Sequence, residues 1–287
     1  MSVPDGVVLY DKPAGVTSHD VVASMRRTLR GRFLSAGGRF KVGHAGTLDP
    51  FATGLLLILV GRATRIQRFL MALPKRYEAV ARFGAVSSTG DPEGAITVTG
   101  VVPSGDLVLP TGAVRQRPPA YSAVKVGGQR AYALARAGKP VKLAERVVEV
   151  YRFEERWRDG DRRAFQIECS SGTYVRSLIA ALGDAYCEEL RRTAIGPFRV
   201  HDADPERIVT LEHGLSFIPE VRLDPELARR AAQGVAVVAD PGGADVVRLT
   251  DGHGLIALAE PRPGGKLAPV VGLRGASEER EGGARGA

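Results

Sequence analysis

The sequence predicts an α+β fold: one large domain, with a small β-rich module behind it. Three observations carry that prediction. Strand-like alternation at residues 75–85 and 146–170 is interleaved with helix-like spacing at 17–30 and 63–73, without a strict strand–helix–strand rhythm. From about residue 227 to 274, short apolar segments are broken by Gly and Pro, as in a compact β-barrel module. The chain has 287 residues, 44% of them hydrophobic, enough for a core in each unit.

Taken in order, residues 6–10 form a short apolar strand that stops at Asp11-Lys12-Pro13. Thr17 and Asp20 have capping-box spacing, and a basic helix follows over 21–30. Its arginines, Arg26, Arg27, Arg30 and Arg32, suit either a solvated face or phosphate contact. Residues 31–40 read as a Gly/Ser/Arg loop. The run 55–60, bounded by Gly54 and Gly61, reads as a strand buried on both faces. Ala63, Ile66, Phe69, Leu70 and Leu73 then fall at helical spacing, opposite Arg62, Arg65 and Arg68, until Pro74.

Tyr77, Ala79, Ala81 and Phe83 alternate with polar residues along a strand at 75–85. A turn at 88–92 leads to a strand at 96–102, and 103–116 shows no periodicity. A helix is expected over 129–137, capped by Gly138. Residues 146–157 and 163–170 form a hairpin around Arg158-Asp159-Gly160-Asp161. Ser171-Gly172-Thr173 should cap a helix whose core stripe is Val175, Leu178, Ile179, Leu182 and Tyr186, leaving Arg176 off that stripe. Residues 190–200 return as strand and loop, 204–225 as a transition, and strands follow at 235–239, 246–250, 255–259 and 270–273. The expected divisions are 1–220, 221–275 and a disordered tail at 276–287.

A net charge of +8 makes an acidic partner, nucleic acid before membrane, a better expectation than average. Cys169 and Cys187 are too few for a disulfide scaffold or a zinc cluster and read as buried free thiols. With neither a signal-peptide pattern nor a membrane-length apolar run, the expectation is a soluble cytoplasmic protein.

The chemistry concentrates at 41–60, KVGHAGTLDPFATGLLLILV. Pro50 keeps Asp49 out of the helical region, so one carboxylate stands on a turn that enters a core strand. An Asp-Pro turn alone would be unremarkable. This much glycine and histidine around it exceeds what a turn requires. Two-carboxylate hydrolysis lacks its second acid in this stretch, and no metal-ligand, Walker or dinucleotide motif is present. What remains is a single carboxylate acting as nucleophile or base beside a cation, for which Arg176 is the best-placed candidate.

GHAGTLDPFATGLLLILVG resembles the catalytic motif of the TruB family of tRNA pseudouridine synthases. LYDKPAGVTSHD, KRYEAVARFG, PPAYSAVKVGGQRAY and SSGTYVRSL resemble further motifs of that family, in the family's order. The resemblance covers roughly residues 5–200; the C-terminal residues fit a PUA-like RNA-binding module only in outline. The segment 103–116 is shorter than the family's, and Ser87 stands where Thr is usual.

The resemblance implies a mixed, mainly antiparallel sheet of the pseudouridine synthase type. It also implies isomerisation of uridine 55 in the TΨC loop of tRNA, with no cofactor and no metal. Asp49 would be the nucleophile, Tyr77 would stack on the base and share in proton transfer, and Arg176 would pair with Asp49. Tyr174 would line the pocket, and His44 would fill the space left by the flipped nucleotide. Lys12 would support the loop, with Gly43, Thr47 and Lys125 also at the RNA. The expected partner is the tRNA T-arm, met by a monomer without guide RNA or obligate protein partner. A guide-dependent synthase, an idle RNA-binding or tRNA-folding protein, and an unrelated hydrolase are the competing readings.

Overall fold

The computed structural model describes residues 3–33, 40–122, 124–131, 134, 137, 139 and 143–274; the side chains of Lys125, Val126 and Arg130 fall outside the description. The first part of the chain runs β1 (Gly6–Lys12), α1 (Ser18–Phe33), β2 (Val42–His44), β3 (Thr53–Val60), a 3₁₀ turn (Gly61–Ile66) and α2 (Gln67–Ala72). It continues through β4 (Lys75–Phe83), β5 (Ala85–Ser87), β6 (Ile96–Val98), β7 (Gly112–Gln116), β8 (Lys125–Val126) and β9 (Gln129–Arg130). Then come β10 (Arg146–Asp159), β11 (Arg162–Cys169), α3 (Val175–Ala180), β12 (Ala185–Ile195), β13 (Phe198–Arg199), β14 (Val209–Thr210) and α4 (Leu211–Gly214). The last stretch is β15 (Glu220–Arg222), α5 (Pro225–Ala232), β16 (Val237–Val238), β17 (Val247–Asp251), β18 (Gly254–Arg262) and β19 (Lys266–Gly272).

The main sheet follows the order β14-β1-β3-β12-β4-β11-β10-β7, with β2 added to β3 and β13 to β12. Every pairing in it is antiparallel except β3 with β12, which meet in parallel through Arg191↔Thr53 and Arg192↔Gly54. Two antiparallel halves therefore join at one short parallel seam. The chain that carries Asp49 enters the sheet at that seam.

β3 is buried on both faces, as its uninterrupted apolar run predicts. Period-2 alternation divides it cleanly. Leu56, Ile58 and Val60 pack under α1 with Val21, Val22, Met25 and Leu29. Leu55, Leu57 and Leu59 face Ile66 and Leu70, together with Leu258 and Leu273 from the C-terminal sheet. That second sheet has the order β15-β17-β18-β19-β16, and α5 packs on it through Ala228 and Ala231.

Several expectations hold. The Thr17–Asp20 capping box is formed: the Asp20 carboxylate accepts from Thr17 N (2.9 Å), and Thr17 Oγ1 accepts from Asp20 N (3.1 Å). Strand β4 buries Tyr77, Ala79, Ala81 and Phe83, and the β10–β11 hairpin turns at Gly160 with φ +55°.

Others are corrected. Helix α1 continues through Phe33, so the expected loop starts later; residues 34–39 lie outside the described set. The strand at 96–102 ends at Val98. The segment 103–116 contains β7, the edge strand of the main sheet. Gln129 and Arg130 pair back on β8, and most of the expected helix beyond them falls outside the described residues, as does the 276–287 tail. Helix α3 stops at Ala180, its N-cap is Tyr174 without a side-chain cap bond, and Tyr186 lies on β12. Gly183, at φ +138°, breaks the helical pattern between them. Helix α5 has no counterpart among the sequence expectations. Asp224 caps it by accepting from the Glu226 and Leu227 amides, and Pro225 is at its first turn.

Candidate active site

The turn between β2 and β3 carries Asp49, and three anchors hold it. The Lys12 ammonium, fully buried, donates to the carbonyls of Pro13 (2.8 Å), Val16 (2.9 Å) and Pro50 (3.1 Å). The Pro50 carbonyl also accepts from Gly15 N (2.9 Å). Ser18 Oγ and Leu48 exchange hydrogen bonds at 2.9 and 3.1 Å, tying the turn to the start of α1. Burial lowers the Lys12 pKa to about 8, with Arg192 acting the same way and Asp49 against it.

The Asp49 carboxylate is 27% exposed, and its Oδ2 stands 2.9 Å from Nε of Arg176. Arg176, expected off the core stripe, is 3% exposed. It is buried because the rest of its fork is engaged: Nη1 donates to the Asp91 carboxylate (2.9 Å) and the Thr89 carbonyl (2.8 Å), and Nη2 to the Tyr121 carbonyl (2.8 Å). One guanidinium thus joins the turns at 47–52, 88–92 and 117–122. Burial raises the Asp49 pKa above the ordinary carboxylate range; Asp91 pushes the same way, while Arg176 and Arg192 oppose it.

Tyr77 lies on β4, buried in the core cluster that also holds Leu48 and Ala52 of the Asp49 turn. Its strand partner on β12 is Arg192. Burial pushes the phenol pKa up, and Arg192 pulls it back. Tyr174 caps α3 two residues before Arg176; its amide donates to Gln116 Oε1 (3.0 Å), and the Arg146 guanidinium stacks 4.8 Å from its ring centre. His44 ends β2, half-buried, with its ring edge-on to His19 at 5.5 Å and its carbonyl accepting from Gln67 Nε2 (2.7 Å). Gly43 pairs with Leu59 on β3, and Thr47 is exposed beside the Asp49 turn. Lys125 lies on β8, with its side chain outside the described set.

Sequence reasoning missed two participants. Asp91 shares Arg176 with Asp49, and in the sequence it was only part of a turn. Arg192 is 1% exposed behind the Asp49 turn; Leu190, two residues before it on the same strand face, was the available signal. Among the described residues, no group of three or more His, Cys, Asp or Glu could hold a metal ion, and no helix is long and apolar enough to cross a membrane.

A mixed sheet with one short parallel seam, and at that seam a partly exposed carboxylate gripped by a buried arginine beside a buried tyrosine, is the arrangement of the pseudouridine synthase class. Residues 32–175 match the N-terminal domain of the TruB family of pseudouridylate synthases. The chain is 40% identical to tRNA pseudouridine synthase B of Thermobifida fusca, over 93% of this chain and 98% of that protein. It is 37% identical to the enzyme of the same name from Aromatoleum aromaticum, over 93% and 92%. Among solved structures, a chain of a Cbf5–Nop10–Gar1 complex aligns with a TM-score of 0.65 at 25% identity, covering 93% of this chain and 84% of the other. The chain belongs to the TruB family of pseudouridylate synthases.

Proposed function

We propose that this protein is a stand-alone tRNA pseudouridine synthase that isomerises uridine 55 in the TΨC loop, with Asp49 as nucleophile. The observation that carries this is the grip of Arg176 on Asp49 at 2.9 Å, on the turn that opens into β3. The relatives 37–40% identical along nearly the whole chain are named as tRNA pseudouridine synthases, which supports tRNA as substrate.

The isomerisation balances within the nucleotide. The N1–C1′ bond breaks, the uracil turns, a C5–C1′ bond forms, the C5 proton leaves and N1 takes up a proton. Asp49 must be ionised to attack, and the cation beside it both favours and orients that form. Tyr77 takes the stacking position against the base and the role in proton transfer. A loop uridine reaches a half-buried carboxylate only when extruded. His44, at the rim beside exposed His19, is suited to fill the space it leaves. Tyr174 and Lys12 serve as pocket wall and turn anchor; Gly43, Thr47 and Lys125 belong to the RNA-facing surface.

Residues 1–220 act in this reading as the catalytic domain, and 221–275 as a PUA-like RNA-binding module. The protein works as a cytoplasmic monomer that needs no cofactor, metal, guide RNA or protein partner. The test uses unmodified tRNA tritiated at C5 of uridine, incubated with the pure protein alone or its Asp49→Ala variant. Tritium release by the wild type only is the expected result. Tight tRNA binding without release by either would favour a guide-dependent or purely RNA-binding role. Equal release by both would remove Asp49 as nucleophile.

A further inference from the structure

We propose that Arg192 is a positioning residue for this reaction: a buried cation that fixes the Asp49 turn from behind and holds the phenol of Tyr77 in register with it. The inference rests on the isomerase reading above and deepens it. Arg192 lies on β12 at the parallel seam, with Gly54 of β3 as strand partner on one side and Tyr77 of β4 on the other. Directly opposed residues of an antiparallel pair share a face, so Arg192 and Tyr77 project together.

The guanidinium is bonded toward the nucleophile's turn. Nε donates to the Leu55 carbonyl (2.7 Å), Nη1 to the Thr47 carbonyl (3.3 Å) and Nη2 to the Gly46 carbonyl (3.2 Å). These carbonyls bracket Asp49 on both sides along the chain. The Gly46 and Thr47 carbonyls lie outside the β2–β3 pairing, and a planar fork with several donors can meet both together with the Leu55 carbonyl of β3.

Two glycines of the motif meet the same residue. A Cβ at Gly54, where φ is +106°, would lie 2.7 Å from Arg192 N and overlap its carbonyl oxygen; only glycine lets β12 come so close to β3. Gly46, at φ +97°, takes a left-handed conformation while its carbonyl accepts from Arg192. The charged or titratable groups acting on Tyr77 are Arg192, Asp49 and Cys169; Lys12 and Lys75 also feel the Arg192 charge.

The role of Arg192 therefore differs from that of Arg176. Arg176 touches the Asp49 carboxylate itself, whereas Arg192 touches the backbone that aims it. Misplacing a reacting group by about 1 Å costs on the order of 100-fold in rate.

The test compares Arg192→Lys and Arg192→Gln in full-length protein, using single-turnover tritium release, tRNA affinity and thermal melting. Wild type and Asp49→Ala run alongside. Both variants should lose on the order of 100-fold in rate, with tRNA affinity within about threefold of wild type. The acid limb of the pH–rate profile should move to higher pH in Arg192→Gln, which lacks the cation opposing the rise in the Asp49 pKa. It should stay in place in Arg192→Lys, which keeps the charge and loses the fork. In a Tyr77→Phe background the Gln substitution should cost less than it does alone, because the phenol it helps to hold is already gone. Rates near wild type in both variants would overturn the proposal, as would losses fully accounted for by unfolding with an unmoved acid limb. If the wild type releases no tritium, the isomerase reading fails and the proposal falls with it.

Discussion

Arg176 commits three nitrogens to four groups, two of them the carboxylates of Asp49 and Asp91. A lysine ammonium keeps the charge but cannot span that geometry. Arg176→Lys should therefore lose on the order of 100-fold or more in single-turnover rate while tRNA affinity stays within about threefold. A rate within tenfold of wild type would show that charge alone suffices. The Asp49 carboxyl, raised chiefly by burial, leads to a linked pair of expectations. Between the ordinary carboxylate pKa and its own, the folded state holds a proton that the unfolded chain has released. Stability therefore falls as pH rises through that window, and at neutral pH the charged Asp49 weakens the fold. Asp49→Asn should melt at a higher temperature than wild type while losing tritium release. Activity runs the other way, fading as pH drops through the raised pKa because the nucleophile is protonated. Removing the anion in Asp91→Asn should shift that acid limb to lower pH, as a pH series of single-turnover rates would reveal. A limb that moves upward would mean that Asp91 acts mainly through Arg176.

The seam between β3 and β12 is where element geometry decides whether the site exists. Gly54→Ala would force a Cβ against Arg192 backbone atoms, which cannot swing away as a side chain can. A loss of about 3 kcal/mol or more is expected in urea unfolding. Gly43→Ala is the control: its Cβ would meet Thr64 Cγ2 at 3.8 Å, an ordinary contact, so a change of about 1 kcal/mol or less is expected. Similar losses in both would remove the special status of the seam. Much of this element scale was legible in the sequence. The alternation of Tyr77, Ala79, Ala81 and Phe83, the Thr17–Asp20 box and the apolar run of β3 each reported a local rule that the tertiary structure obeys. Helix α3 was over-extended because Leu182 and Tyr186 continue a helical stripe by coincidence, one beyond the end of α3 and the other on the next strand. β7 was missed because an edge strand, half in water, needs no strong apolar pattern. Helix α5 is amphipathic, packing Ala228, Ala231 and half-buried Leu227 on the sheet, but its 8 residues are too short a run to stand out between a transition segment and a strand-rich module. The meeting of Asp49 with Arg176 was implied by resemblance alone, and the one local sign that Arg192 turns inward while half-buried Arg191 does not is the apolar Leu190 two residues before it. A buried arginine is recognisable only from the carbonyls that surround it.

At the scale of the whole molecule, the C-terminal sheet is part of the support beneath the site. Leu258 and Leu273 share one cluster with Leu55, Leu57 and Leu59, so the rear face of the strand leading from Asp49 is completed by residues some 200 positions away. The arginines of the 3₁₀ turn and of α2, opposite their apolar side, bind the same region. Arg62 donates to the Leu273 carbonyl, Arg65 to that of Gly272 (3.0 Å), and Arg68 pairs with Glu260 (2.8 Å). In the sequence these arginines read only as the polar side of a helix. Their function as a latch depends on strands the local pattern cannot locate. The two contributions should differ greatly in size. The Arg68–Glu260 pair is largely solvated, and Arg68→Ala should change stability by about 0.5 kcal/mol or less. Deleting 221–287 would expose the apolar face under β3 and α2, with each uncovered Leu giving up about 1.5–3 kcal/mol of burial. The truncated chain should therefore aggregate or melt well below the full protein, and tritium release should fall even at tRNA concentrations that saturate binding. A truncated chain with wild-type melting temperature and full release would show that the sheet serves RNA binding alone. A loss that saturating tRNA cannot rescue assigns it to holding the strand behind Asp49.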